Sequence, residues 1–496
     1  MKQKKQANFY DALLPISVLI ILLSLSVYIY GDNSSYGPNQ IALLFSSAMV
    51  AIIGLKNGYL WEDLEKAMIK GISLSLGAVL ILFMVGALIG TWLLSGTVPT
   101  LIYYGLQLIN PSWFYATSCM LCALIAFSIG SSWTTAATIG VALIGIATGL
   151  ELDQAVTAGA VISGAYFGDK LSPLSDTTNL AAAVSGANLF EHIQHMMWTT
   201  VPSFIIALIL FTLLGFNASN LTDYTRMSQI DEILTTHFNL GIEMLIPLLI
   251  LLILALKKMS AFPAVAIGSL MGAVWALLFQ QELIATQINS EHGLFLGTIE
   301  VVWSAFFNGF SILTGDAKMD KLLSGGGMKN MLNTTWLMMM ALMFGAVMEK
   351  VGLLDVFVQH ILKFAKSTGS LIASTIATCI GTNIITADQY IAIVMPGRMF
   401  KKEYERRGLA SVNLSRTLED GGTITSPLIP WNSCGAYMHS VLLVNPLDYA
   451  FYAFFNLINP VFALAYAYIG VKILKIEPTY MKEKMTEKMT EKKYGN

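Results

Sequence analysis

Long apolar stretches separated by short polar ones run along almost the whole chain, and they set the predicted elements. Stretches at 11–30, 39–55, 71–94, 196–216, 237–256, 260–280, 295–314, 331–349 and 449–471 approach the ~20 residues an α-helix needs to cross ~30 Å of hydrocarbon. Other apolar segments are interrupted. Segments 369–380 and 385–397, about 12 and 13 residues long, flank "GTNI" and are each too short to span alone at ~1.5 Å per residue. With Lys363 and Lys366 before them and Arg398–Arg407 after, they predict a re-entrant hairpin with its tip at Gly381-Thr382-Asn383. The equivalent tip in the first half is Gly130-Ser131-Ser132. Two further segments read as spans broken midway, at "DKLSPLSD" (169–176) and "GGTITSPLIP" (421–430). There Pro173, Pro427 and Pro430 cannot donate a backbone hydrogen bond and clash with a continuing helix. Irregular backbone at membrane depth is tolerated only where protein or a water-filled cavity receives it.

The two halves echo each other. Gly86 in "LFMVGALIGTWLLSG" aligns with Gly345 in "LMFGAVMEKVGLL", Gly130 with Gly381, and Ser172-Pro173-Leu174 with Ser426-Pro427-Leu428. The loops then differ in charge. "ELDQ" follows the first hairpin and "RMFKKEYERR" the second. Because Lys and Arg collect in cytoplasmic loops, equivalent loops of opposite bias imply opposite sides. The predicted fold is an all-α multi-pass membrane protein. It has two inverted-topology repeats, each with a re-entrant hairpin and a broken helix, plus additional spans. The expected division is N-terminal helices (1–64), repeat 1 (65–190), connecting segments (191–324), repeat 2 (325–445), and a last helix with tail (446–496). One segment between 259 and 330 does not fit a simple alternating walk.

Composition sharpens the class. The chain is 55% hydrophobic and 12% charged, against ~25% charge in soluble domains, which excludes a single water-soluble core. A net charge of −2 points to no partner, and there is no nucleic-acid signature. Lys2, Lys4 and Lys5 place the N-terminus in the cytoplasm, as do Lys257 and Lys258 for their loop. The Lys-rich tail after Lys472 reads as a flexible cytoplasmic end. Cys119, Cys122, Cys379 and Cys434 all sit in apolar segments, which argues against a disulfide framework.

The breaks concentrate the polar groups. A broken helix frees carbonyls at one half-helix end and N–H groups at the other, and a hard cation is served by oxygen. The first break supplies Asp169, Ser172, Ser175, Asp176, Thr177, Thr178 and Asn179, with Ser131 and Ser132 at the hairpin tip. The second half supplies Asn383, Thr386, Asp388, Glu419, Asp420, Thr423, Thr425 and Ser426. Ionisable groups inside a membrane are costly and default to functional hypotheses. A carboxylate there can hold a proton or surrender it to Na⁺, and alternating access makes that competition an antiport. Asp176 and Asp388 are the expected exchanging carboxylates and Na⁺ ligands, with Asp169 next. Plainer roles compete: an Asp169–Lys170 ion pair, Asp176 as an N-cap, and Glu419-Asp420 at the cytoplasmic interface. Glu191-His192-x-x-His195 lacks the order of a zinc protease motif and reads as an interfacial pair. No nucleophile–base or metal constellation suggests an enzyme, and no cofactor is expected.

"GDKLSPLSDTTNLAAAVSG", "GTNIITADQYIAIVMPGRMF" and "LEDGGTITSPLIPWNSCGAYM" resemble the NhaC family of bacterial Na⁺/H⁺ antiporters, over roughly residues 10–470. The resemblance implies exchange of Na⁺, and in some members Li⁺, for H⁺ across the bacterial cytoplasmic membrane. It also implies an alternative, because relatives couple cations to organic solutes, as in malate/lactate exchange. The lipid bilayer, Na⁺ and H⁺ are the expected partners. A small organic acid or amino acid and a second copy of the chain stay open.

Overall fold

The computed structural model describes residues 5, 7–108, 110–218, 224–257, 259–288, 293–363 and 365–476. The readings on Lys2, Lys4, Lys258 and the chain beyond 476 lie outside these residues. The described chain is helical almost throughout, with two isolated β-bridges. The helices used below are α1 (Phe9–Tyr30), α2 (Pro38–Lys56), α3 (Trp61–Leu94), α4 (Phe114–Ile129), α5 (Ser132–Gly149), α6 (Gln154–Leu171), α7 (Asp176–Ser185) and α8 (Leu189–Ala218). They continue with α9 (Ala261–Phe279), α10 (Leu332–Val351), α11 (Thr368–Thr386), α12 (Gln389–Arg406), α13 (Ser411–Leu418), α14 (Ser433–Leu442) and α15 (Phe454–Ile469).

Among the described residues, nine helices are long and apolar enough to cross a bilayer, or eleven if two bent pairs each count as one span. The bent pairs correct two expected straight spans. The 237–256 segment is Ser228–His237 followed by Ile242–Leu256, bent by 87°, and 449–471 is Pro446–Tyr452 followed by Phe454–Ile469, bent by 56°. The misfit between 259 and 330 falls on Gly293–Phe307, a 15-residue helix. It ends in a loop pinned by the Phe310–Gly325 bridge. The expected flexible tail is also corrected at its start. Ala410 N–H donates to Leu474 O (3.0 Å) and Ile476 N–H to Gly408 O (2.8 Å), so 472–476 is docked beside α13.

Close backbone contact explains where glycine is needed. On the α6 face against α4, a Cβ on Gly164 would stand 2.0 Å from the Cys119 carbonyl oxygen, and one on Gly168 2.1 Å from that of Ala123. Small residues let helices approach this closely where no hydrophobic drive from water assembles them. The 34-residue α3 packs against α9 and α10, and its Trp92 Nε1–H donates to Gly268 O at 3.0 Å.

The order of element boundaries recurs 257 positions along the chain. Gly130 (φ 75°) and Ala387 (φ 54°) are both left-handed helix C-caps. Ser131 and Asp388 follow them as N-caps, of α5 and α12. Gln154 and Ser411 start α6 and α13, and Ser175 and Asn432 cap α7 and α14. This register corrects the motif alignment. Asp169 falls opposite Ser426, and Gly130 falls opposite Ala387 rather than Gly381. It also moves the second tip. α11 runs unbroken through Gly381-Thr382-Asn383 to Thr386, and the chain turns at Ala387-Asp388. The 12- and 13-residue arms expected there are 19- and 18-residue helices.

Candidate ion site

Each turn between helices lies against a broken helix. In the first half, Gly130 presses on Leu174 and Ser175, and a Cβ there would stand 2.6 Å from the Leu174 side chain. Ser131 Oγ accepts from Thr134 N–H at 3.2 Å and so caps α5. The break, Ser172–Ser175, is closed by its own side chains. Ser172 Oγ accepts from Leu174 N–H (3.3 Å), and Thr178 Oγ donates to Lys170 O (3.0 Å). Asn179 Nδ2 donates to Pro173 O (3.0 Å) and Ser175 O (2.6 Å), and the Thr177 and Ser175 hydroxyls meet at 3.1 Å.

In the second half, Asn383 joins α11 to the break. Its amide donates to Gly422 O and to Thr425 Oγ1 (3.2 Å), and its Oδ1 accepts from Asn432 Nδ2 (3.1 Å). Ala387 O accepts from Ser433 N–H at 2.8 Å. The hydroxyls of Thr386, Thr425 and Ser426 return to carbonyls of their own turns, those of Thr382 (2.9 Å), Gly421 (2.6 Å) and Thr423 (2.7 Å).

The halves meet across the middle. Tyr390 Oη donates to Asp176 Oδ2 at 2.6 Å, and Tyr437 Oη donates to Trp133 O at 3.0 Å. The Trp133 and Tyr437 rings stack at 4.1 Å. Ser131, Ser132, Trp133, Thr134, Asp169, Asp176, Gln389 and Tyr390 then line a cavity of about 680 Å³, closed on its far wall by residues of α3 and α9. Among the described residues, no Lys, Arg or His lines it.

Three helix N-termini at this site carry a carboxylate of the protein. Ser132 N–H, opening α5, donates to Asp169 Oδ2 at 3.0 Å. Thr177 N–H, opening α7, donates to Asp176 Oδ1 at 2.8 Å, and Ile391 N–H in α12 donates to Asp388 Oδ1 at 2.9 Å. Helix N-termini favour negative charge, and here the chain's own acids take that place. Asp169 Oδ1 is buried without a hydrogen-bond partner, and Asp176 is exposed to the cavity.

Of the residues singled out from sequence, Ser131, Ser132, Asp169 and Asp176 line the cavity. Asp388 is buried behind it as the α12 cap. Ser172, Ser175, Thr177, Thr178, Asn179, Asn383, Thr386, Thr425 and Ser426 hold the tips and breaks in shape and do not line it. The Asp169–Lys170 pair is corrected. Successive helical residues point about 100° apart, so Asp169 turns to the tip while Lys170 pairs with Asp420. Glu419, Asp420 and Lys170 are fully buried within the protein. His192 and His195 are likewise buried, near the start of α8. Trp133, Thr134, Gln389 and Tyr390 were missed. Placing the second turn at Ala387-Asp388, six residues after Gly381, would have pointed to Gln389 and Tyr390.

Among the described residues, no three His, Cys, Asp or Glu side chains stand close enough to hold a metal ion. A cation here would draw on hydroxyl and carbonyl oxygens beside the carboxylates.

A family model described as "Na+/H+ antiporter family" matches residues 164–471. The chain is 38% identical to a protein named Na(+)/H(+) antiporter NhaC from Alkalihalophilus pseudofirmus, over 96% of this chain and 98% of that one. It is 36% identical to a Malate-2H(+)/Na(+)-lactate antiporter from Bacillus subtilis, over 95% and 96% of the two chains. It is 34% identical to an Arginine/ornithine antiporter ArcD from Halobacterium salinarum, over 96% and 95%. With a family model matching more than half of the chain and such relatives aligned almost end to end, the chain belongs to the Na⁺/H⁺ antiporter family.

Proposed function

We propose that this protein exchanges Na⁺ for H⁺ by alternating access across a bacterial cytoplasmic membrane, with both termini in the cytoplasm and its two halves inverted relative to each other. The observation that carries the reading is the cavity, lined by Asp169 and Asp176 and, among the described residues, by no cationic side chain. Its helix N-termini already face carboxylates of the chain, so an anion would meet like charge, while a cation gains two acids, hydroxyls and the carbonyl ends of α4 and α6. Na⁺ and a proton compete for the carboxylate oxygens of Asp176, so one leaves as the other binds, while Asp169 contributes a further carboxylate to the cation. Asp388 adds a third negative charge just behind the cavity wall. The Na⁺/H⁺ antiporter relatives support this reading.

A second reading, coupled exchange of an organic solute, is supported by the malate/lactate relative and by a cavity far larger than one bare ion. Purified protein in liposomes holding a pH-sensitive dye separates the two. With a proton gradient imposed, Na⁺ alone should dissipate it. Dissipation that waits for malate, lactate or an amino acid moves the function to the second reading.

A further inference from the structure

A second buried polar centre lies outside the cavity lining, where four helical elements meet. Lys170, in the last turn of α6, donates to Asp420 Oδ1 in the turn Glu419–Thr423 and to Asn459 Oδ1 of α15 (2.7 Å). Thr199 Oγ1 of α8 also donates to Asp420 Oδ1, at 3.3 Å. Lys170, Glu419 and Asp420 each expose none of their surface. The turn itself is a π-type insertion, with Ile424 N–H reaching back to Glu419 O at 3.3 Å. Such insertions concentrate at functional sites.

Glu419 is the group this arrangement leaves unexplained. Lys170 and Asp420 form a buried pair, yet the Glu419 carboxylate has only the Thr423 hydroxyl beside it and no partner at full hydrogen-bond geometry. A buried ion needs a partner or it is costly. The charged and titratable groups around Glu419 are Lys170 of α6 and Asp420 of its own turn, which are bonded to each other, the buried Arg416 in α13, and Cys379 of α11, which packs on Gly421. α12 meets the turn through Ala392 and Ile393, and α15 adds the uncharged Asn456 and Asn459. His192 of α8 stands on the far side, facing Lys170.

We propose that Glu419 is a proton-carrying site of the exchange, separate from the cavity, with Lys170 and Asp420 as the positioning pair that holds it. This rests on the Na⁺/H⁺ reading above and deepens it. Asp169 is the link, because it lines the cavity and immediately precedes Lys170, whose ammonium is bonded to Asp420 beside Glu419. With the cavity empty, the negative charge of Asp169 keeps the proton on Glu419. A cation at Asp169 cancels that charge, the Glu419 O–H bond breaks, and H⁺ leaves as the carboxylate forms beside Lys170. When the cation departs, the carboxylate takes a proton back. By reciprocity, the ionised Glu419 strengthens cation binding by the same factor.

Glu419→Gln tests this in the full-length protein. Na⁺-driven proton movement in liposomes should fall at least tenfold, while ²²Na⁺ still binds the detergent-solubilised protein, weakened as reciprocity requires because Gln mimics protonated Glu419. Proton movement within twofold of wild type overturns the proposal. Should the variant fail to reach the membrane folded, the wild type is treated with an apolar carbodiimide, which modifies protonated carboxyl groups, and mapped by mass spectrometry. An adduct on Glu419 whose yield falls when Na⁺ is added and that stops proton movement supports it. Inactivation with adducts only at other carboxyls overturns it. A wild type that moves no protons with Na⁺ refutes the exchange reading itself, and this inference with it, which tells the two failures apart.

Discussion

The hydroxyl of Tyr390 donates to Asp176 across 2.6 Å, joining residues 214 positions apart in sequence. One opens the helix after the second turn, and the other opens the second half of the first broken helix. The bond ties the two halves together at the cavity wall. A cation that uses Asp176 Oδ2 has to displace that hydroxyl. Hydrogen bonds to charged groups contribute ~1.5–3 kcal/mol where buried, and exposure of Asp176 to the cavity brings this toward ~1 kcal/mol. Tyr390→Phe is therefore expected to raise ²²Na⁺ affinity by about fivefold. Lower affinity in the variant would show the hydroxyl to be part of the ion's own shell.

The two expected exchanging acids should separate by substitution. Asp176→Asn removes charge at the cavity and is expected to abolish Na⁺-driven proton movement while the protein still inserts. Asp388→Asn keeps a competent N-cap, since Asn caps as well as Asp, whereas Asp388→Ala loses ~1 kcal/mol of cap. Size-exclusion profiles and thermal unfolding in detergent should therefore rank Asn above Ala at 388, with exchange lost in both. Wild-type exchange in Asp388→Asn would reduce Asp388 to a cap.

Gly168 faces the α4 backbone, and a Cβ there would stand 2.1 Å from Ala123 O and 2.5 Å from Phe127 N. Backbone cannot swing aside as a side chain can. Gly168→Ala is expected to cost about 3 kcal/mol, the upper part of the usual overpacking range. Thermal unfolding in detergent reads this directly, and an unchanged midpoint would mean that α4 and α6 separate freely.

Asn383 holds α11 to the second break through three hydrogen bonds. Asn383→Ala leaves buried donors and acceptors unmade, at ~1–3 kcal/mol for each unsatisfied group. A lowered thermal midpoint and slowed exchange are expected together. Loss of exchange at an unchanged midpoint would assign Asn383 to the ion rather than to the scaffold.

Much of this organisation is legible in the sequence, and the failures have physical causes. Pro173 and the polar run around it mark the first break, and Gly130 marks the first turn because its left-handed φ suits glycine. The second turn is capped by Ala387, a non-glycine residue in the same conformation, and nothing local announces that. Gly381-Thr382-Asn383 imitates a turn but stays helical. Its neighbours Thr378 and Thr386 bond back to carbonyls four residues earlier, at 2.7 and 2.9 Å, which satisfies their hydroxyls inside the helix. Asp169 and Lys170 are adjacent in sequence, yet they serve different centres, because a helix turns them apart. Tyr390 gives no local signal at all, since its partner lies in the other half of the chain.

The central claim is that Na⁺ and H⁺ move in opposite directions through the cavity at Asp169 and Asp176. The most direct measurement loads liposomes at acid pH, dilutes them into alkaline buffer with ²²Na⁺, and follows uptake alongside a dye reporting internal pH. Wild type is expected to concentrate ²²Na⁺ while internal pH rises, with both signals abolished in Asp176→Asn. A protonophore that collapses the proton gradient should stop the accumulation. Accumulation that persists without a proton gradient, or in Asp176→Asn at the wild-type rate, would contradict the account.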